Sequence, residues 1–325
     1  MTDPRNPINT SKRALLRASA AAALGATLGF GGPLKAAAQG SKVVRIGYQK
    51  YGTLVIVKSR GTLEKRLAAI GATVQWLEFP AGPQLLEGLN AGAVDIGTVG
   101  ETPPIFAQAG GVDFVYVGNE PPAPAAEAIV IPKNSSIRSV ADLRGKKVAL
   151  NRGSNVHYLL VRALASAKLR YEDIQPVYLA PADARAAFEQ NNVDAWAIWD
   201  PYFASIQHAG AKVLVDGTGL VRNLQFYVAA RAFTERAPEL VHAVIDELRD
   251  TDAWGKAHPS EVTRVLAPNT GLDQPVVDLA VGRYSFGVQP ISDEIVAYQQ
   301  NIADTFTELK LIPRKLDVKQ VRWKA

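Results

Sequence analysis

The sequence predicts an α/β protein of two similar lobes, each built on a mainly parallel sheet, with two crossover strands joining them. Three observations predict this. Short β-branched runs alternate with helical stretches from Val43 onward, the pattern of a parallel sheet flanked by helices. The same order returns after Lys147. Two apolar runs, residues 127–131 and 226–230, bracket the second copy and read as the crossovers. A length of 325 residues agrees, since about 100–200 residues make one domain. The expected division is 39–130 for the first segment of lobe 1, 131–225 for lobe 2, and 226–325 for the return crossover and helices that complete lobe 1.

The first 38 residues stand apart. Ser11 to Arg17 is basic, residues 18–30 are small or apolar, and Ala36-Ala37-Ala38 offers a cleavage site before Gln39, the order of a signal peptide. Lys12-Arg13 resembles the twin-arginine pattern with lysine in the first place, so both bacterial export routes fit. The apolar run falls short of the roughly 20 residues a membrane span needs. Five of the 36 Lys and Arg and one of the 31 Asp and Glu precede Gln39, so the remainder holds 31 basic against 30 acidic residues, net +1. A nucleic-acid partner thereby loses its basic face. With no cysteine, disulfides, thiolate metal sites, a cysteine nucleophile and the usual lipoprotein anchor are all excluded.

Taken in order, the strands fall at 43–48, 73–79 and 94–99, separated by helices over 54–70 and 82–90, with Thr102-Pro103-Pro104 opening a third helix. In the second half, strands at 147–150, 174–179 and 193–198 alternate with helices at 155–167, 183–190 and 201–208. The halves rhyme locally. Each has a helix, a small polar turn, Val-Asp (Val94-Asp95, Val193-Asp194), then a strand ending in an acid shortly before proline (Glu101-Thr102-Pro103, Asp200-Pro201). The remainder is mostly helical and is expected to pack on lobe 1 or the hinge.

Two lobes with two connections enclose a cleft, and ligands of open α/β sheets sit beyond the carboxyl ends of the strands. That selects loops 48–50, 80–83 and 100–103 on lobe 1, and 152–155, 180–183 and 199–202 on lobe 2. Gly153-Ser154-Asn155, between a strand and a helix, is the leading candidate, because a helix start with free N–H groups receives an anion. The same residues also suit a plain turn and cap. Glu101 and Asp200 show no spacing that supports a catalytic carboxylate pair. Ser154 and His157 share a helix face without an acid to complete a triad. The four histidines lack metal-ligand spacing, no phosphate-binding glycine loop occurs, and neither a metal nor another cofactor is expected.

Longer strings carry a resemblance: Ile46-Gly47-Tyr48-Gln49-Lys50, Glu78-Phe79-Pro80-Ala81-Gly82-Pro83-Gln84, Pro103-Pro104-Ile105-Phe106-Ala107-Gln108-Ala109, Val115-Tyr116-Val117-Gly118, and Asn192-Val193-Asp194-Ala195-Trp196-Ala197-Ile198-Trp199-Asp200-Pro201-Tyr202. Together they resemble the aliphatic sulfonate-binding proteins of ABC importers. The resemblance implies a monomeric type II periplasmic binding protein that closes on an alkanesulfonate and delivers it to an ABC permease with its ATPase. It places sulfonate contacts on Gln49, Gly82, Thr102, Ser154 and Asn155, beside Gly153, with Glu101, Trp199 and Asp200 as further members. Trp199, Tyr48 and Tyr202 would wall the tail. Glu101 departs from the family pattern, where a shorter aspartate is expected. Binders of taurine, nitrate or a thiamine precursor share the fold, as do C–S bond-cleaving enzymes whose cysteine nucleophile this chain lacks.

Overall fold

The computed structural model describes residues 42–324, so the export segment expected over residues 1–38 lies outside the described residues. Lobe 1 begins with β1 (Lys42–Tyr48), α1 (Thr53–Arg60), α2 (Thr62–Ala68), β2 (Ala72–Glu78), α3 (Gly82–Asn90), β3 (Ile96–Gly100), α4 (Pro103–Ala109) and β4 (Phe114–Asn119). The second round is β5 (Glu127–Ile131), β6 (Lys147–Leu150), α5 (Asn155–Ser166), β7 (Gln175–Tyr178), α6 (Pro181–Glu189), β8 (Ala195–Trp199), α7 (Tyr202–His208) and β9 (Lys212–Asp216). β10 (Gln225–Ala230) returns the chain, followed by α8 (Arg231–Arg236), α9 (Pro238–Ala257), α10 (Pro259–Thr270), α11 (Gln274–Val281) and α12 (Asp293–Glu308).

Two five-stranded sheets result, ordered β2-β1-β3-β10-β4 and β7-β6-β8-β5-β9. The orders superimpose when β1 is laid on β6, β2 on β7, β3 on β8, β10 on β5 and β4 on β9. The predicted repeat is thus a repeat of topology. Only β10 and β5 run antiparallel to their neighbours, so each sheet is mainly parallel as expected.

The crossovers are corrected by the pairing. β5 lies between β8 and β9 in the second sheet, and β10 between β3 and β4 in the first, so each apolar run is a buried sheet member rather than a bridge. Strands covered on both faces need the continuous apolar character that made these runs conspicuous. The chain passes between lobes in the segments 120–126 and 217–224, and the lobe change expected after residue 130 falls before β5.

The Val-Asp rhyme has a physical cause. Asp95 Oδ2 accepts the backbone N–H of Arg45 at 2.9 Å, and its own N–H donates to the Arg45 carbonyl at 2.8 Å. Asp194 does the same to Lys147, at 2.8 Å in both directions. Each aspartate therefore locks the entry of β3 or β8 onto the neighbouring strand. Arg45 adds its guanidinium to Asp95 at 2.7 Å.

The C-terminal helices do more than complete lobe 1. α9 packs on α1 and α2, whereas α11 reaches the second lobe and rests on α7 through Ala204, Val276 and Ala280. α12 closes the seam behind the cleft: Phe306 meets Phe106 of lobe 1 at 5.0 Å and His157 of lobe 2 at 5.1 Å between ring centroids. Burial holds His157 down to about 3, hence neutral, and its Nδ1 accepts the Gly153 N–H at 3.2 Å. His157 is therefore a packing residue of the seam.

Candidate functional site

Two helix starts face each other across the lobes. α3 opens at Gly82 on lobe 1 and α5 at Asn155 on lobe 2; with Gln49, Gly100, Pro103, Ser154, Trp199 and Gln225 they enclose a cavity of about 20 Å³. Among the described residues, no charged side chain lines it. Its polarity comes from backbone, since the first N–H groups of a helix lack intrahelical acceptors and carry the positive end of the dipole. At α5 the His157 N–H is taken by the Ser154 carbonyl at 3.0 Å, which leaves those of Asn155 and Val156 as the opening donors. At α3 the corresponding donors are Gly82 and Gln84, because Pro83 has no N–H.

The subsite is tightly built. Ser154 Oγ donates to the Asn151 carbonyl at 2.7 Å, so it does not cap α5. The Asn155 side chain lies on the bare Cα of Gly100, where an added Cβ would stand 1.6 Å from Asn155 Oδ1. Gly82 is bare for a similar reason: a Cβ there would stand 2.8 Å from Pro103 Cγ. Gln49 Nε2 donates to the Thr98 carbonyl at 3.3 Å.

Gln49, Trp199 and Gln225 also line a larger adjoining cavity of about 410 Å³. Tyr51, Phe79, Trp199, Tyr202, Tyr284 and Leu272 give it apolar walls. Its charged groups are paired: Lys50 with Glu78 at 3.7 Å, Arg185 with Glu189 at 2.8 Å, and Asp200 with Arg283 at 3.2 Å. The uncharged helix-start donors at the first cavity suit an anionic group, and the apolar walls of the second suit a largely apolar tail.

Comparison with known proteins follows the same line. The family described as NMT1/THI5-like matches residues 70–262. A chain of Escherichia coli (strain K12) assigned as an aliphatic sulfonates-binding protein is 47% identical over 291 residues, covering 89% of this chain and 91% of its own. The chain belongs to this family. The alkanesulfonate-binding protein SsuA of Xanthomonas axonopodis pv. citri, solved bound to MOPS, is 41% identical with a TM-score of 0.84, over 87% of this chain and 98% of that one. The periplasmic aliphatic sulphonate binding protein SsuA of Escherichia coli gives 47% identity and a TM-score of 0.79, over 87% and 92%.

Within this sulfonate-binding family member, the residues expected at the ligand divide. Gln49, Gly82, Ser154, Asn155 and Trp199 come together around the small cavity, and Asp200 lines the large one. Gly153 stands behind them at φ 75°, turning the chain into α5 with its Cα against Phe106. Thr102 is fully buried with its Oγ1 unpartnered, yet it lines neither cavity. Tyr48 lies in the core edge-on to Trp76 rather than at the tail.

Glu101, expected beside the ligand, lines neither cavity. Its carboxylate turns away from the cleft into the return connection, accepting the Leu224 N–H at 2.9 Å and the Tyr298 hydroxyl at 3.2 Å. Burial raises it to about 7 against these donors and the Arg222 charge. Glu101 thus reaches the return connection between the lobes. Asp200 is likewise pushed up to about 7 by burial, opposed by Arg283 and by the Ala204 N–H at 2.9 Å in the first turn of α7.

Sequence reasoning missed Gln225, Tyr284, Thr270 and Leu272, whereas Gly100 lies in the loop 100–103 that it selected. Gln225 opens an antiparallel strand, so its beginning lies where the parallel strands end, opposite Gly100. The other three come from the end of α10 and the segments flanking α11, which the strand-end rule does not sample.

The raised acids set a pH dependence. A carboxyl held above its unfolded value favours the folded state while protonated, so its stabilisation is complete below about 4.5 and is lost as pH rises through about 7. Glu120, Glu127 and Asp252 are raised by burial as well and act in the same direction. The melting temperature of the ligand-free protein should therefore fall between pH 5 and pH 8, and the fall should be shallower in Glu101→Gln. A melting temperature that rises over this interval would contradict the assignment.

Proposed function

We propose that this chain captures an alkanesulfonate in the interlobe cleft, without chemical turnover, and delivers it in the periplasm to an ABC permease with its ATPase. The observation that carries the reading is the uncharged subsite between the starts of α3 and α5, opening onto an aromatic-walled cavity of about 410 Å³. A sulfonate keeps a single negative charge and three acceptor oxygens. Helix-start N–H groups satisfy both without a counter-charge. Sulfate, a dianion without a tail, would leave one charge unbalanced and the large cavity unfilled. The relatives bound to or named for sulfonates support the same assignment.

A thermal-shift panel tests it. At about 100 times Kd a ligand adds roughly 2.7 kcal/mol, which raises the melting temperature of a chain this size by several degrees. Alkanesulfonates with tails of several carbons should produce that rise, and sulfate should not. Taurine or nitrate raising it further than any alkanesulfonate would transfer the assignment to that ligand.

A further inference from the structure

We propose that Asn223 is a positioning residue for the anion subsite, orienting the Asn155 carboxamide from the return connection between the lobes. The inference rests on the proposed binding of a sulfonate at Asn155. Asn223 is buried and sits in the left-handed region at φ 49°, which asparagine tolerates better than most side chains. Its Nδ2 donates to the Ala123 carbonyl at 2.8 Å, and its Oδ1 accepts from Asn155 Nδ2 at 2.6 Å.

The direction of each amide follows from these contacts. A carbonyl only accepts, so Ala123 obliges Asn223 to present its NH2 group there and hence its oxygen to Asn155. That oxygen in turn obliges Asn155 to present its NH2 group. Asn155 Oδ1 is then turned onto the bare Cα of Gly100, and the second N–H of its NH2 group is kept for a bound anion. A flipped Asn155 would offer the anion an oxygen. Ala123 belongs to the outgoing connection and Asn223 to the return, and the two are further tied by the Ala123 N–H on the Arg222 carbonyl at 3.0 Å. Both connections between the lobes therefore set the donor seen by the ligand.

A double-mutant cycle with Asn223→Gly and Asn155→Ala tests this. Glycine accepts the positive φ without strain and deletes only the amide. Titrating hexanesulfonate by calorimetry, Asn223→Gly should weaken binding about tenfold in the parent. In the Asn155→Ala background it should cause no further loss, because Asn223 acts through Asn155. Equal losses in both backgrounds, or none in the parent, would overturn the proposal. A second readout needs no ligand. The Asn155 carboxamide 1H–15N pair, assigned by its disappearance in Asn155→Ala, should shift in Asn223→Gly, and an unmoved pair would also overturn the relay. If the parent binds no sulfonate, the proposed function fails while this resonance still decides the hydrogen bond.

Discussion

Gly100→Ala is expected to weaken alkanesulfonate binding by at least about a hundredfold, roughly 2.7 kcal/mol, while the protein stays folded. The methyl carbon would stand 1.6 Å from Asn155 Oδ1 and 2.2 Å from Asn155 Cγ. Asn155 can move away only by giving up its hydrogen bond to Asn223 at 2.6 Å and its place in the subsite. The contact joins the end of β3 on lobe 1 to the start of α5 on lobe 2, so it is relieved by displacing the Asn155 carboxamide or by parting the lobes there. Either change removes the donor arrangement of the subsite and leaves each lobe's sheet intact. Calorimetry beside a melting curve checks the separation of the two effects. Parent-like affinity in Gly100→Ala would show that the Asn155 side chain need not lie over this strand end when ligand is bound.

Ser154→Asp should abolish binding for an electrostatic reason. It places a carboxylate at the start of α5, where an acid suits the helix dipole and where the subsite supplies no positive side chain to offset a second negative charge. The melting temperature should fall, because the carboxylate cannot replace the hydroxyl's donation to the Asn151 carbonyl, and a sulfonate should no longer raise it. Ser154→Ala is the milder companion. It removes the hydroxyl bond to the Asn151 carbonyl at 2.7 Å, a neutral hydrogen bond worth about 1 kcal/mol. Binding by Ser154→Asp at parent strength would mean that the anion does not sit at this helix start.

Much of this architecture is legible in the sequence because the repeat is written in local chemistry. The Val-Asp pairs recur since each aspartate must reach a neighbouring strand's N–H, and Gly153 to Asn155 mark a strand-to-helix turn by their own conformational needs. Strand order is less local. Nothing within residues 127–131 states that β5 pairs antiparallel between β8 and β9, so an apolar run of five reads equally well as a bridge or as a buried strand. Glu101 shows the same limit at the site. Its position at a strand end predicts a cleft residue, and only the return of the chain at Leu224 supplies the N–H that turns it into the hinge. Thr270 at the end of α10 and Tyr284 just after α11 line the tail cavity well over a hundred residues beyond β3, a proximity that the packing of α10 and α11 creates.

Backbone 1H–15N spectra recorded while hexanesulfonate is added to the protein test the central claim most directly. Hydrogen bonding to an anion moves an amide proton downfield, so the account predicts the largest downfield shifts at Gly82, Asn155 and Val156, the opening donors of α3 and α5. Shifts gathered instead in the groove between α9 and the C-terminal segment, around His242, Lys319 and Trp323, with Gly82 and Asn155 unmoved, would contradict it.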